Sequence, residues 1–454
     1  MSRRHVAIIS GCTLWLALAS TASRAQSAAE WQALQAAAAA KSDKLMAEAG
    51  AHKGLLDQYI AVRHAYASDN SPAFRLIFGQ YVSWYQSFLG DYPDAMKSFS
   101  IAQPPQPDDS PSPLTEGGYV AKPAATAIPE LAKSYRIVLF NEAHNIALTR
   151  SLTVQLLDAL HKEGFNYFAA ETLVQSDTKL ASRGYPTDDS GFYTEEPIYA
   201  EMVRTALKLG FKVIAYEATS SAGSGDAREA EQARRIYEQV FEHDPNARLV
   251  INAGYEHTVK SGAYLGGRSM AEHLYTLTRV PMLSVEQTMM YPHPMEHDDH
   301  PYYTAVMKKL RPDAPIAFVD TTGKPWSLRP GYDVNVFFPP EQIVRGRPTW
   351  LSLGALRHAH RVDADNCHAH YPCLVEARYS DEGPDAIPAD RLLLDQVPLS
   401  VSESHIAMYS STQGTPSGDL YLRPGKYELN FIGDKDRILH KEEIVVLDTH
   451  EKPN

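Results

Sequence analysis

Residues 135–150 read Y-R-I-V-L-F-N-E-A-H-N-I-A-L-T-R, and residues 165–173 read F-N-Y-F-A-A-E-T-L. Two short apolar runs, 137–140 and 167–170, each lead into a carboxylate, Glu142 and Glu171. A continuous apolar run of this length suits a strand buried on both faces, and the helical spacing of the residues between them suits a right-handed crossover. The stretch therefore predicts a βαβ unit of a parallel sheet. In such sheets ligands bind beyond the carboxyl ends of the strands, which is where Glu142, His144 and Glu171 fall.

The theme repeats downstream. R-I-V-L-F, N-Y-F-A-A, K-V-I-A-Y, R-L-V-I-N-A, P-M-L-S-V, I-A-F-V-D and V-N-V-F-F alternate with helical segments or connectors, the pattern of an α/β domain with a parallel sheet over residues 130–348. After these strands come Asn141-Glu142-Ala143-His144, Glu171, Glu217, Gly254-Tyr255-Glu256-His257, Glu286-Gln287 and Asp320. One acidic strand end is ordinary, because Asp and Glu favour helix N-termini. A succession of strand ends carrying Glu, His or Asp points to an active or ligand site along one sheet edge.

The flanks read differently. Residues 26–102 have helix formers and aromatics at three- and four-residue steps, predicting helices over 28–49, 54–66 and 73–89 that pack as a bundle on the main domain. Residues 103–129, with P-P-Q-P-D-D-S-P-S-P and then T-E-G-G, read as a Pro-rich extended linker. From 349 to 454, short strand candidates at 373–379, 391–394, 399–401, 405–409, 420–422, 427–432 and 444–446 predict a small β-sandwich. The expected fold class is thus α/β: a parallel-sheet central domain, an N-terminal helical region and a C-terminal small β-sandwich.

The first 25 residues have a basic start, an apolar stretch and S-R-A before Gln26, which reads as a secretory signal cut after Ala25. Ile9-Ser10-Gly11-Cys12 has the form of a lipobox, but the apolar run continues past Cys12 to Leu18, which argues against lipidation; Ser2-Arg3-Arg4 is similar to a twin-arginine start. No later stretch approaches the roughly 20 apolar residues of a membrane span. Cutting the leader removes Arg3, Arg4 and Arg24 and no acids, taking the formal charge from -12 to -15. So acidic a chain is a poor binder of nucleic acid or anionic membrane. The localisation implied is exported, periplasmic or secreted, where the remaining pair, Cys367 and Cys373, is free to close a disulfide. That small loop-closing bridge is favoured over a thiolate metal site, since C-x5-C lacks the paired C-x-x-C spacing of structural zinc.

F-N-E-A-H at 140–144 resembles the G-E-x-H signature of the superfamily that joins erythromycin esterases, ChaN-like haem-binding lipoproteins and Tiki-type metalloproteases, with Asn141 where glycine is usual. G-Y-E-H at 254–257 resembles its second G-x-x-H element, and A-E-T-L around Glu171 resembles the acidic end of its second strand. The resemblance spans about residues 130–345 and implies three chemistries. In an esterase of this kind His144 deprotonates a water that attacks an ester or lactone carbonyl, Glu142 orients the imidazole or the water, and Arg150 holds a substrate anion or the oxyanion. In a metalloprotease of this kind His144, His257 and carboxylates such as Glu142, Glu171 and Glu286 hold zinc, manganese or iron. In a haem binder a tyrosine, Tyr255 or Tyr264, ligates the iron.

Residues 291–303, Y-P-H-P-M-E-H-D-D-H-P-Y-Y, add His293, His297 and His300 as further metal candidates or a lid, against the simpler reading of a solvated loop. Glu217 and Tyr255 are candidates to contact substrate, and Asp320 to orient a histidine or to make a turn. His358, His360, His368 and His370 read as surface residues. The reading that follows is an exported hydrolase of an ester, lactone or amide in a small-molecule or peptide substrate, with His144, Glu142, His257, Glu171 and Glu286 in the site. Haem or iron-ligand binding is the alternative, and a non-catalytic interaction protein the third; no protein partner is indicated.

Overall fold

The computed structural model describes residues 28–218, 225–395 and 417–448. The leader at 1–25 and the strand candidates at 399–401 and 405–409 lie outside them. All seven apolar runs of the centre form strands, joined by an eighth that sequence reading assigned to the linker. They are β1 (Val120–Pro123), β2 (Ile137–Glu142), β3 (Tyr167–Ala170), β4 (Lys212–Ala215), β5 (Leu249–Gly254), β6 (Met282–Met290), β7 (Ile316–Val319) and β8 (Val334–Phe337). The sheet order is β1-β7-β8-β6-β2-β5-β3-β4.

From β8 to β4 every neighbouring pair is parallel. β7 runs antiparallel to β8, and β1 antiparallel to β7, so the sheet is mixed at one side. The segment between β7 and β8 contains no helix, and a crossover to a parallel neighbour is usually helical. Asp320, just past β7, therefore emerges at the edge opposite to the other strand ends.

Alternate residues of the strands feed two cores. Val138, Phe140, Phe168, Val250 and Val285 pack under the helices Leu148–Lys162 and Pro197–Leu209. Ile137, Leu139, Ala169, Leu249 and Ile251 pack under Gly225–Ile236 and Met270–Thr278. This two-sided cover is why the strands read as unbroken apolar runs.

The helices of the N-terminal region span Ala28–Ala49, Leu55–Ala67 and Pro72–Phe88, with a short fourth at Tyr92–Ser98. Their core, with Leu56, Tyr59, Phe74, Phe78 and Val82, also takes in Leu374 and Ile432, so the bundle shares its interior with the C-terminal sheet as well as meeting the centre. That C-terminal part is a four-stranded antiparallel sheet (Asp390–Leu394, Cys373–Tyr379, Gly425–Gly433, Arg437–Val446) and a two-stranded one (His358–Asp363, Ser417–Leu422) around one core. The Cys367–Cys373 disulfide closes a short loop, both cysteines being buried in that core.

The expected linker is built in. Ser110 N donates to Leu328 O at 2.7 Å, Trp326 Nε1 to Pro111 O at 2.9 Å, and β1 and the helix Ala124–Ala132 belong to the sheet layer. V-A-K-P escapes sequence reading because an exposed edge strand has no apolar pattern and tolerates proline.

Candidate active site

Because β2, β5, β3 and β4 are consecutive across the sheet, their C-terminal ends bring Glu142, His257, Glu171 and Glu217 to one place. Register sets Glu142 opposite Gly254 and Ala170 opposite Asn252.

Glu142 is buried and doubly anchored. Arg150 Nε and Nη2 donate to its two oxygens at 2.9 and 2.8 Å, and Asn252 Nδ2 donates at 2.8 Å. Burial alone would raise its pKa, but Arg150, His144 and Asn252 outweigh that and hold it below the ordinary carboxylate value. An ionised carboxylate only accepts, so the 3.2 Å contact to His144 Nδ1 puts a proton on Nδ1 and leaves Nε2 facing Glu171 Oε2 at 3.9 Å. The imidazole is clamped by Tyr193, stacked on it at 4.1 Å between ring centres, and by Tyr255, edge-on at 5.2 Å. Its other wall is Gly254: a Cβ there would lie 2.1 Å from His144 Cε1, so only glycine admits the ring. The next residue, Asn145, donates through Nδ2 to Ser83 Oγ at 2.9 Å and Phe99 O at 2.8 Å, tying the loop to the N-terminal helices.

His257 sits across from this pair. Its Nδ1 donates to Glu229 Oε2 at 2.7 Å, and its Nε2 lies 3.3 Å from Glu171 Oε1. Burial would lower its pKa, but Glu171 and Glu229 outweigh that and raise it well above the usual imidazole value. For Glu171, burial is opposed by His257, His144 and Arg228, which hold it well below the ordinary range. Glu171 Oε2 accepts from Gly254 N at 2.6 Å and lies 3.9 Å from His144 Nε2. Arg228 Nη2 donates to Glu171 Oε1 at 3.2 Å and to Glu217 Oε1 at 2.9 Å, and Nη1 lies 3.5 Å from His257 Nε2.

Other candidates lie elsewhere or act differently. Arg150 does not face a substrate: fully buried, it also donates to Glu196 Oε2 at 2.8 Å and to His144 O at 2.7 Å, so it is a frame for the site. Glu286, on the far side of β2, accepts from Asn141, Thr288 and Asn335, and none of its hydrogen bonds reaches His144 or His257. Asn141 replaces backbone pairing past the end of the β2–β6 ladder, its Oδ1 accepting from Gln287 N at 2.6 Å. Asp320 closes a turn onto Thr322 and Lys324. The loop histidines do not converge: His293 Nε2 donates to Ile101 O at 2.8 Å, His300 contacts Asp109 at 3.2 Å, and His297 is exposed. His293 and His300 fasten the 101–109 segment to the sheet.

A metal fits this donor set poorly. Among the described residues no three His, Cys, Asp or Glu side chains are arranged to hold one. Both nitrogens of His257 face carboxylates, and the Arg228 guanidinium occupies the space between Glu171, Glu217 and His257. Of the haem-ligand candidates, Tyr264 packs edge-on against His257 at 5.0 Å, as Tyr255 does against His144.

Arg228, Glu229, Asn252, Tyr193 and Glu196 were missed from sequence. Asn252 had a signal, a polar residue within the run R-L-V-I-N-A. So did Glu229, since it shares the inward stripe of its helix with Gln232, Ala233 and Ile236.

No family model matches the sequence, and no curated protein matches it. Among solved structures, the type III effector HopBA1 aligns at 10% identity and a TM-score of 0.31 over 52% of this chain and all of its own. A structure described as bacterial protein toxins aligns at 16% identity and 0.29, over 50% of this chain and 52% of its own. RRSP, a MARTX toxin effector domain from Vibrio vulnificus, aligns at 15% and 0.28, over 50% of this chain and 51% of its own. Likenesses this distant assign neither family nor activity. Among the described residues no helix is long and apolar enough to cross a membrane.

Proposed function

We propose that the chain is an exported hydrolase of an ester, lactone or amide bond in a small-molecule or peptide substrate. The observation that carries this is His144, held through Nδ1 by a Glu142 that Arg150 and Asn252 anchor, with Nε2 turned toward Glu171 across 3.9 Å. His144 Nε2 takes a proton from water as the water oxygen bonds to the acyl carbon. The carbonyl oxygen becomes an anion; when the C–O or C–N bond breaks, the leaving alkoxide or amine receives the proton back from Nε2. The step draws on the chain's own groups, with the Arg228 guanidinium already lying among the carboxylates. The leader-like first residues and the Cys367–Cys373 bridge support export. The order of the F-N-E-A-H and G-Y-E-H elements on adjacent strands supports kinship with the erythromycin esterase, ChaN and Tiki group.

The test is hydrolysis of p-nitrophenyl acetate and butyrate and of a simple aryl lactone by the purified protein. His144→Ala should lower turnover about 10²–10⁴-fold with the fold retained by circular dichroism. Unchanged turnover would remove His144 from the mechanism, and a Soret band on haem addition would move the reading to haem binding.

A further inference from the structure

The base does not account for the charge that appears on the substrate. A carbonyl oxygen that becomes an oxyanion in a buried site needs donors fixed before the reaction. Arg150 is sealed and fully engaged by acceptors. Arg228 differs: its side chain is 27% exposed, and Glu171 and Glu217 take Nε and Nη2 while, among the described residues, the hydrogen-bond contact of Nη1 is to His257 Nε2 at 3.5 Å. One oxygen, Glu171 Oε1, holds both groups, at 3.2 Å from Arg228 Nη2 and 3.3 Å from His257 Nε2, which leaves Nη1 as the guanidinium nitrogen with no carboxylate partner among the described residues. The other oxygen of the same carboxylate lies 3.9 Å from His144 Nε2. Base and guanidinium thus flank a single carboxylate.

Resting on the hydrolase reading, we propose that Arg228 Nη1 donates to the developing oxyanion, and that Glu171 is the positioning residue that holds the guanidinium there through Nη2. The substrate class follows: an acyl compound whose carbonyl oxygen turns anionic, with the guanidinium doing what a Lewis-acid metal does elsewhere. Bonds and charge balance, since the oxyanion forms as water's proton moves to His144 and disappears when the leaving group departs.

Two measurements test it. In ester turnover, Arg228→Ala should lower kcat about 10²–10³-fold with KM little changed, the mark of an interaction made only in the transition state. Arg228→Lys should recover part of it, and added guanidinium chloride should raise the rate of Arg228→Ala but not of His144→Ala. Independently of turnover, phenylphosphonate, a stable oxyanion mimic, is titrated into the full chain by calorimetry. The wild type should bind it, and Arg228→Ala should bind at least about tenfold more weakly, as loss of a charged hydrogen bond predicts. Equal phosphonate affinity in wild type and Arg228→Ala, or no binding by the wild type, overturns the proposal. If ester turnover depends on His144 and not on Arg228, the hydrolase reading stands and this one falls. If no ester is cleaved while phosphonate binding still depends on Arg228, the anion site stands and the hydrolase reading falls.

Discussion

The site contains two arrangements of the same three residue types, and they are built to opposite ends. His144 with Glu142 and Arg150 is sealed: the carboxylate's charge is matched by a fully buried guanidinium, and Glu142 serves to aim a ring. His257 with Glu171, Glu229 and Arg228 reaches solvent through the partly exposed arginine, and two carboxylates raise the pKa of the ring. Each ring faces two carboxylates, and the sets differ in how close these come, 3.2 and 3.9 Å for His144 against 2.7 and 3.3 Å for His257, and in whether the arginine is sealed or reaches solvent.

Removing the sealed arginine should have the largest effect. Arg150→Ala leaves Glu142 and Glu196 as buried charges without their partner, and urea denaturation should show a loss of about 3–5 kcal/mol. Arg228→Ala, at a partly exposed pair, should cost about 1 kcal/mol or less in the same experiment. Equal losses would erase the distinction between the two arrangements.

Next comes the wall of the base. Gly254→Ala puts a methyl against the His144 ring, and should lower turnover more than it lowers stability, the latter by about 1–3 kcal/mol. A fully active Gly254→Ala protein would mean that the ring position in the structure is not the working one.

The charge on His257 has a pH signature. A histidine raised on folding contributes stability fully present below its ordinary pKa of about 6.5 and lost as pH rises through the folded value. Unfolding midpoints of the wild type should therefore fall on the alkaline side, and His257→Gln should flatten that limb. Parallel curves for the two proteins would argue against a cationic ring. The smallest effect belongs to Asp320→Ala, which should leave turnover unchanged and cost about 1 kcal/mol or less for lost turn bonds. A drop in turnover would place Asp320 at the wrong edge of the sheet.

The strands of the centre were legible because both faces of the sheet are covered, which forces unbroken apolar runs such as I-V-L-F. Strand direction was not: I-A-F-V reads the same parallel or antiparallel, so Asp320 was grouped with ends it does not join. Glu142, His144, Glu171 and His257 were legible by their places after strands. Arg150 was found with the wrong orientation, since nothing in a helix sequence says which arginine will meet a buried carboxylate. Arg228 was invisible for the converse reason, as G-D-A-R-E-A-E-Q-A-R-R-I looks like a solvated helix until its inward stripe is known. Glu286 shows the limit of counting strand ends, because the next strand over belongs to a different hydrogen-bond network.

Asn145 sets a limit on modularity. Its side-chain amide, one residue beyond the base, reaches into the N-terminal helical region for both of its acceptors, Ser83 Oγ and Phe99 O. Cutting the central sheet out as a minimal enzyme would strand two buried amide hydrogens beside His144, at about 1–3 kcal/mol for an unsatisfied group. Transplanting the sheet without those helices, in the laboratory or by gene rearrangement, would deliver the motif and misplace the base.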